Sequence, residues 1–267
     1  MTKTSHLIIL PCHSIWKSGP NLGETRDEWH LVDFQIEGYD HLAFKQQILT
    51  SLQQLQQDPK SYLIISGGET KLDAGPISES LSYYLLASKL CQNDLSILSR
   101  VSTEVFARDS FENVIFLICR YYELFAMYPE KITIVGFEFK RERFVKYHLQ
   151  QALLFPENRI NYIGNSPDPK DLDELEIEKY FQELNESEFK YAVKHFQNDW
   201  YGLLGSLLKK KIARNPFNRY HGYSESNPKL ADFLRAIKDD ITITTTTSTT
   251  RSNENIRDLL LDMVWVE

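Results

Sequence analysis

The stretch SYLIISGG (Ser61–Gly68) decides the fold. Its apolar, β-branched run is cut off by two glycines, which is typical of a short buried strand that ends in a turn. An amphipathic helix pattern precedes this strand at His41–Gln57, and another follows it at Ile77–Leu90. A buried strand between two helices indicates a βαβ unit in a parallel sheet.

The same alternation of strands and helices extends on both sides of this stretch. We predict further strands at His6–Pro11, Leu95–Ser99, Lys131–Phe137 and Arg159–Gly164, with helices after Asp109 and at Lys140–Leu154. Near-continuous apolar strands fit a sheet that is covered on both faces. We therefore expect an α/β protein with an open, doubly wound, mostly parallel sheet and helices on both faces.

The composition changes after residue 165, where a strongly acidic stretch begins (Asn165–Glu188). Helical patterns follow to about Lys211, then a turn-rich loop and a further short helix. The low-complexity run ITITTTTSTT (Ile241–Thr250) is typical of a flexible connector. We predict three parts: an α/β domain at 1–165, a helical C-terminal extension packed on it at 166–240, and a Thr-rich connector with a terminal helix at 241–267.

The composition excludes several classes of protein. The 267-residue chain has a formal net charge of −7, whereas a duplex-binding protein usually carries a concentrated basic face. Its two basic runs, Phe139–Phe144 and Lys209–Arg214, are short. No apolar run approaches the ~20 residues of a membrane helix, and three widely spaced cysteines suit a reducing compartment. We expect a cytoplasmic protein that binds neither nucleic acid nor membranes.

Polar residues follow the predicted strands at the edge where ligands bind in open α/β sheets. Adjacent glycines let backbone N–H groups approach a ligand closely, and arginine matches a phosphate or carboxylate bidentately. The blander alternatives are a strand-ending turn, a solvated basic surface and a structural histidine. The candidate ligand-binding residues are His13, Ser66, Gly67, Gly68, Ser78, Arg108, Ser110, Asn113, Lys140 and Arg143.

Three carboxylates near this edge are candidates for catalysis: Glu79, Glu104 and Glu112. Glu79 and Glu112 fall in the first turn of a predicted helix, where a carboxylate complements the helix dipole. Asp109 and Glu112 also fit a capping box. Glu104 lies in a connector with no such role. If the three converge, they suit a general acid or base, a divalent metal, or a cationic ligand group.

Several of these motifs together resemble the SanA/ElyC/YdcF-like family, a domain of unknown function. They are SGG at Ser66–Gly68, Ser78-Glu79, an isolated Glu104, the helix start Ser110–Asn113, and Lys140 with Arg143. The match spans roughly His6 to Gly164 and is most similar to the fungal cytosolic branch, which shares RNPF-like C-terminal residues. The resemblance implies a Rossmann-like fold with a polar site.

The chain departs from the bacterial members of this family in two ways. Lys140 stands where they tend to have histidine, which favours anion binding over proton transfer at that position. Their N-terminal membrane segment is not recognisable here, so their link to the cell envelope does not carry over.

Three functional hypotheses follow. The first is an enzyme, a hydrolase or transferase, acting on a small phosphorylated or nucleotide-like molecule, with a divalent metal as one use of the carboxylates. The second is a non-catalytic module that binds a nucleotide or S-adenosylmethionine. The third is a partner-binding protein that uses the terminal helix (Asn255–Val264) and its Thr-rich tether.

Overall fold

The central sheet has five strands, all parallel, in the computed structural model, which describes residues 4–239 and 252–266. The strand order is β3-β2-β1-β4-β5. The strands are β1 (His6–Pro11), β2 (Ser61–Ser66), β3 (Val101–Glu104), β4 (Lys131–Phe137) and β5 (Ile160–Asn165). The chain adds strands outward from β1 to β3 and then returns to the other side of β1. This doubly wound, Rossmann-like α/β fold confirms the predicted fold class.

Helices cover both faces of the sheet. In chain order they are α1 (Asp40–Gln57), α2 (Glu79–Leu90), α3 (Leu95–Leu98), α4 (Glu112–Phe125), a π-helix (Arg143–Ala152), α5 (Glu174–Glu188), a second π-helix (Phe189–Val193), α6 (Lys194–Phe196), α7 (Gly205–Ala213), α8 (Tyr223–Ser226), α9 (Ala231–Ala236) and α10 (Asn253–Arg257). Ser78 caps α2, because its hydroxyl accepts a hydrogen bond from the Leu81 N–H at 3.1 Å. The cap fixes the start of that helix at Glu79 rather than at Ile77.

Two apolar clusters fill the space between the sheet and its helices. Alternate residues of a strand point to opposite faces, so Ile8 packs with α1 and α2 while Leu7 packs with α4. Both side chains are fully buried. Burial of each such aliphatic side chain stabilises the fold by about 1.5–3 kcal/mol.

The predicted strand at Leu95–Ser99 is wrong. Leu95–Leu98 form a helical turn that begins where Asp94 accepts a hydrogen bond from the Ser96 N–H at 2.8 Å, and Leu95 is 78% exposed. A short apolar run does not distinguish a strand from a helix. The third strand is instead Val101–Glu104, at the edge of the sheet. Its polar residues explain why the sequence pattern did not indicate a strand there.

The C-terminal third packs against the same core cluster as α4. Phe233, Tyr201 and Trp265 are nearly fully buried there, and the Trp265 indole N–H donates to the Leu153 carbonyl at 2.8 Å. One apolar face of the C-terminal segment is therefore part of the protein's own core, while Leu259, Leu261 and Val264 are exposed. The Thr-rich connector predicted at 241–250 lies outside the described residues. Among those residues, none of the helices has the length and apolar character needed to cross a bilayer.

Candidate functional site

Two adjoining cavities open at the carboxyl edge of the sheet, where β1 and β4 lie side by side. We call them the inner cavity, of about 300 Å³, and the outer cavity, of about 650 Å³. The inner cavity is polar, and its lining includes His13, Gly67, Thr70, Glu79 and Asn113. The outer cavity lies against α5 and is aromatic and acidic, with a lining that includes Phe139, Tyr180, Tyr191, Glu183 and Glu188. This is the edge at which open α/β sheets bind ligands.

The junction between the cavities is formed by residues that line both of them. They are Phe34, Gln35, Asp109, Ser110, Lys140, Arg143 and Arg214. Arg143 forms an ion pair with Glu188 (2.9 Å from Nε to Oε1). In the described part of the chain, no carboxylate lies within 4.0 Å of the charged atoms of Lys140 or Arg214. Lys140 and Arg214 thus have no direct ion pair within the described residues, although Asp109 lines the same junction.

Lys140 reaches the junction from the turn after β4. Its Nζ lies 3.4 Å from His13 Nδ1 and 5.0 Å from the centre of the Phe137 ring. Burial, and next the charge of Arg143, lower the pKa of Lys140 to about 8. Burial also lowers the pKa of His13, so this imidazole is neutral and accepts from Lys140. In this arrangement His13 carries its proton on Nε2, which has no partner among the described residues.

Glu79, the first residue of α2, is the one candidate catalytic carboxylate that lines a cavity. The Thr70 hydroxyl donates to its Oε1. Burial raises the pKa of Glu79, although this hydrogen bond opposes the shift. A side chain at Gly67 would place its Cβ 2.8 Å from the Glu79 Cβ. Glycine at position 67 therefore allows β2 and α2 to approach closely enough to hold Glu79 at the cavity wall.

The backbone N–H groups of the two glycines are not free to bind an anion. Gly67 donates to the Glu104 carbonyl at 3.1 Å, and Gly68 donates to the Ala107 carbonyl at 2.9 Å. The first N–H groups of α2 are also engaged, because Glu79 donates to Gly68 and Ser80 donates to Gly67. The glycines and Ser78 shape the site, and the N–H groups of Gly67, Gly68, Glu79 and Ser80 are not available to a ligand.

Glu104 lies behind the cavity wall, at the end of β3, and is 1% exposed. The sequence suggested that Glu104 lies in a connector, but it is the last residue of β3. Its carboxylate accepts hydrogen bonds from the N–H groups of Phe106 (2.8 Å) and Ala107 (3.0 Å) and from the Tyr223 hydroxyl (3.1 Å). Burial raises the pKa of Glu104 to about 7, against the lowering effect of these donors. Glu104 thus fixes the loop after β3 in place.

Replacing Glu104 with glutamine is expected to lower the free energy of unfolding by about 1–3 kcal/mol, because an amide cannot accept hydrogen bonds at both of its heavy atoms. Denaturant unfolding followed by circular dichroism measures the loss. Glu174→Gln, at the exposed start of α5, is the control and is expected to have little effect. A loss confined to activity, with unchanged stability, would contradict the structural role.

Glu112 is buried in an ion-pair cluster with Arg108. The Arg108 guanidinium donates to both oxygens of Glu112 (2.6 and 3.0 Å) and to both oxygens of Asp239 (2.7 and 3.1 Å). Lys211 Nζ lies 3.6 Å from Glu112. Arg108 lines the inner cavity, but Glu112 is not among the described lining residues. The predicted capping box is half formed, since Asp109 accepts from the Glu112 N–H while Glu112 accepts from Arg108.

The three carboxylates do not converge as one cluster. Of Glu79, Glu104 and Glu112, only Glu79 lines a cavity among the described residues. Nowhere in residues 4–239 and 252–266 do three or more His, Cys, Asp or Glu side chains come together in a way that could hold a metal ion.

Comparison with known proteins finds a relative in Saccharomyces cerevisiae, the uncharacterized protein YOR238W. The two sequences are 38% identical over 269 residues, which cover 85% of this chain and 88% of the relative. The chain belongs to the YOR238W family. No protein-family model and no solved structure matches it. The resemblance to the SanA/ElyC/YdcF-like family stays a prediction.

In this member of the YOR238W family, Ser110 pairs with a histidine that the sequence did not single out. Ser110 Oγ lies 2.8 Å from His148 Nε2, and His148 is fully buried against Phe111, Phe144 and Phe196. Burial holds the pKa of His148 well below its usual value, so the ring is neutral. Its Nδ1 has no partner in the described residues. A bare lone pair is less costly there than an unpaired N–H.

We therefore infer that His148 carries its proton on Nε2 and donates it to Ser110. The Ser110 hydroxyl proton is then free to donate to an acceptor at the junction of the cavities. No sequence pattern indicates this pair, because His148 lies in an ordinary helical pattern 38 residues from Ser110.

Of the other predicted residues, Ser66 supports the site from behind and Asn113 lines the inner cavity. The Ser66 hydroxyl donates to Asn113 Oδ1 at 2.8 Å, which leaves the Asn113 amide N–H₂ at the inner cavity. Four junction residues were not candidates: Phe34, Gln35, Asp109 and Arg214. Burial raises the pKa of Asp109. Arg214 donates to the Arg108 carbonyl at 3.0 Å, which anchors it at the cavity.

Proposed function

We propose that this protein is an enzyme that binds a small phosphorylated or nucleotide-like molecule at the junction of the two cavities. The observation that carries the proposal is the pair of cations Lys140 and Arg214, which line the same junction and have no carboxylate within 4.0 Å among the described residues. Lys140 is half-buried and Arg214 is exposed, and the charge of Arg214 contributes to lowering the pKa of Lys140. Like charges repel each other, and a bound anion removes that cost. Arg143 and the Ser110 hydroxyl add donors at the same point.

The outer cavity suits the non-phosphate part of such a molecule. Phe139, Tyr180 and Tyr191 give it flat apolar walls beside a few polar groups, which is the usual composition of a small-molecule site. Stacking on these rings would hold a base or another flat group while the cations hold the anionic group.

Glu79 is the proposed general acid or base. It lines the inner cavity next to the cationic junction, and its raised pKa moves it toward the working pH. Asp109, whose pKa is also raised, is the second carboxylate at the cavity. In this proposal Glu104 and Glu112 position the loop and the helix that carry the site. A relation to the SanA/ElyC/YdcF-like family and a cytoplasmic location are part of the same proposal.

Glu79→Gln separates catalysis from binding. A thermal-shift screen with inorganic phosphate, nucleotides and sugar phosphates identifies ligands, since binding at 100 times Kd adds about 2.7 kcal/mol of stability. The variant is expected to keep this shift but to lose turnover of the ligand about 100-fold or more. Glu174→Gln is the control and should keep both. Unchanged turnover in Glu79→Gln would contradict the assigned role.

A non-catalytic module for S-adenosylmethionine is the second candidate. The outer cavity carries Glu37, Asp40, Glu183 and Glu188, whose carboxylates could face a sulfonium or ammonium group. A thermal shift with S-adenosylmethionine, but with none of the phosphates, would favour this alternative.

Anion binding is expected to weaken at alkaline pH. Because the pKa of Lys140 is lowered to about 8, its charged fraction falls from about nine-tenths at pH 7 to about one-tenth at pH 9. The affinity for sulfate, whose charge is constant over this range, should fall by up to about tenfold. Titration calorimetry at both pH values measures the change. Lys140→Arg should flatten the profile, and a pH-independent wild-type affinity would contradict the assignment.

A further inference from the structure

We infer that the ligand carries its phosphate in the middle, as a diphosphate or phosphate group with a substituent on each side. This inference rests on the proposed function and specifies its substrate class. The three cations Lys140, Arg143 and Arg214 line the inner and the outer cavity alike. An anion bound to them lies between two spaces rather than at the end of one.

The outer cavity accommodates the larger, flat substituent. Its volume of about 650 Å³ and its aromatic walls fit a group the size of a nucleoside. A ligand that filled only this space and ended in a phosphate at the junction would leave the inner cavity without an occupant.

The inner cavity accommodates a second, smaller and polar substituent. Its volume of about 300 Å³ is much larger than the space that one phosphate group fills. Its wall offers groups that suit a hydroxylated ligand: the Asn113 amide N–H₂, the His13 Nε2–H and the Glu79 carboxylate. The first two have no hydrogen-bond partner within residues 4–239 and 252–266. A buried polar site that is left unpaired discriminates against a ligand lacking the matching group.

The two cavities therefore divide recognition between them. The outer cavity selects a flat apolar group, the junction selects the phosphate charge, and the inner cavity selects a small group with several hydroxyls. Sugar-substituted nucleoside diphosphates have these three parts in this order, and a nucleoside diphosphate lacks the third.

Calorimetric titration of the full chain with two pairs of probes tests this order: ADP against ADP-ribose, and UDP against UDP-glucose. Each pair shares a base and a diphosphate and differs in the second substituent. We expect the substituted member of at least one pair to bind about tenfold or more tightly than the other. Inorganic phosphate, titrated alongside, reports on the junction alone.

Two variants locate the two substituents. Val32→Trp fills the rim of the inner cavity and should reduce the substituted diphosphate to the affinity of its unsubstituted partner. Ser187→Trp fills the outer cavity and should weaken both members of the pair, while inorganic phosphate still binds. Both positions are exposed, so melting temperatures should match that of the wild type, and Ser226→Trp, away from both cavities, should bind as the wild type does.

The outcomes separate this inference from the proposed function. Equal affinity within both pairs, with phosphates still bound, overturns the central-phosphate inference and leaves the proposed function standing. A preference that Val32→Trp does not remove also overturns it, because the second substituent then lies elsewhere. If neither inorganic phosphate nor any of the four nucleotides binds, the proposed function fails as well.

Discussion

Replacing Arg108 with methionine is expected to lower the free energy of unfolding by about 3–5 kcal/mol. Arg108 is held by both oxygens of Glu112 and both oxygens of Asp239. The exposed fractions of the three side chains are only 11%, 4% and 11%. Methionine fills similar space but leaves two carboxylates side by side with only Lys211 to compensate them.

The loss is measured by denaturant unfolding at pH 7, with Arg120→Met as the control. Arg120 pairs with Glu123 three residues along the exposed side of α4, and surface pairs of this kind contribute about 0–1 kcal/mol. A loss of less than about 1 kcal/mol in Arg108→Met would show that the cluster does not join α4 to the C-terminal residues as described.

The double variant Lys140→Met/Arg214→Met is expected to lower the affinity for the phosphate ligand by about 100-fold or more. A hydrogen bond to a charged group contributes about 1.5–3 kcal/mol, and a factor of ten in affinity corresponds to about 1.4 kcal/mol. Neither side chain has a carboxylate within 4.0 Å among the described residues. Their removal should therefore leave stability unchanged or slightly higher, in contrast to Arg108→Met.

The matched control removes the same charge elsewhere. Lys60 precedes β2 at the opposite end of the sheet, and Arg235 pairs with Asp232 on the exposed side of α9. Lys60→Met/Arg235→Met should bind phosphate within about twofold of the wild type at physiological salt, because charges far from the site are screened. Equal losses in both double variants would indicate a general charge effect and no anion site at the junction.

The sequence was sufficient for most of the fold because the central strands are apolar and well delimited. Ser61–Ser66 and Lys131–Phe137 have the predicted bounds. The third strand was missed since Val101–Glu104 is short and only partly apolar, while the neighbouring Leu95–Leu98 is apolar but forms a helical turn. Local pattern carries no information on which of two short runs pairs with β2.

The sequence predicted the location of the candidate site, but only some of the residues that form it. The rule that ligands bind at the carboxyl edge of the sheet selected His13, Glu79 and Lys140, which line the inner cavity. The same rule selected Glu104 and Glu112, whose carboxylates are bound by other groups of the protein behind the cavity wall. Glu79, Glu104 and Glu112 share the same residue type and lie near the same edge in the sequence-based prediction. Only the partners distinguish them. Glu104 is bound by Tyr223, and Glu112 is bound by Arg108, which also binds Asp239. Tyr223 and Asp239 lie more than 100 residues from the groups they contact.

Arg214 and His148 are the opposite case, because they contribute to the junction but were not among the candidate residues. Each reaches the junction through a contact distant in sequence: Arg214 through the Arg108 carbonyl, and His148 through Ser110. A loop arginine and a helical histidine have no local signature, because their role depends on how the C-terminal third and the π-helix pack on the sheet.

A crystal soaked in tungstate shows whether an anion binds at the junction of the two cavities. Tungstate resembles phosphate in shape and charge, and its metal atom is located without ambiguity by anomalous scattering. We expect a tungstate ion within hydrogen-bond distance of Lys140, Arg214 and the Ser110 hydroxyl. Bound tungstate at other sites, with none at the junction, would contradict it.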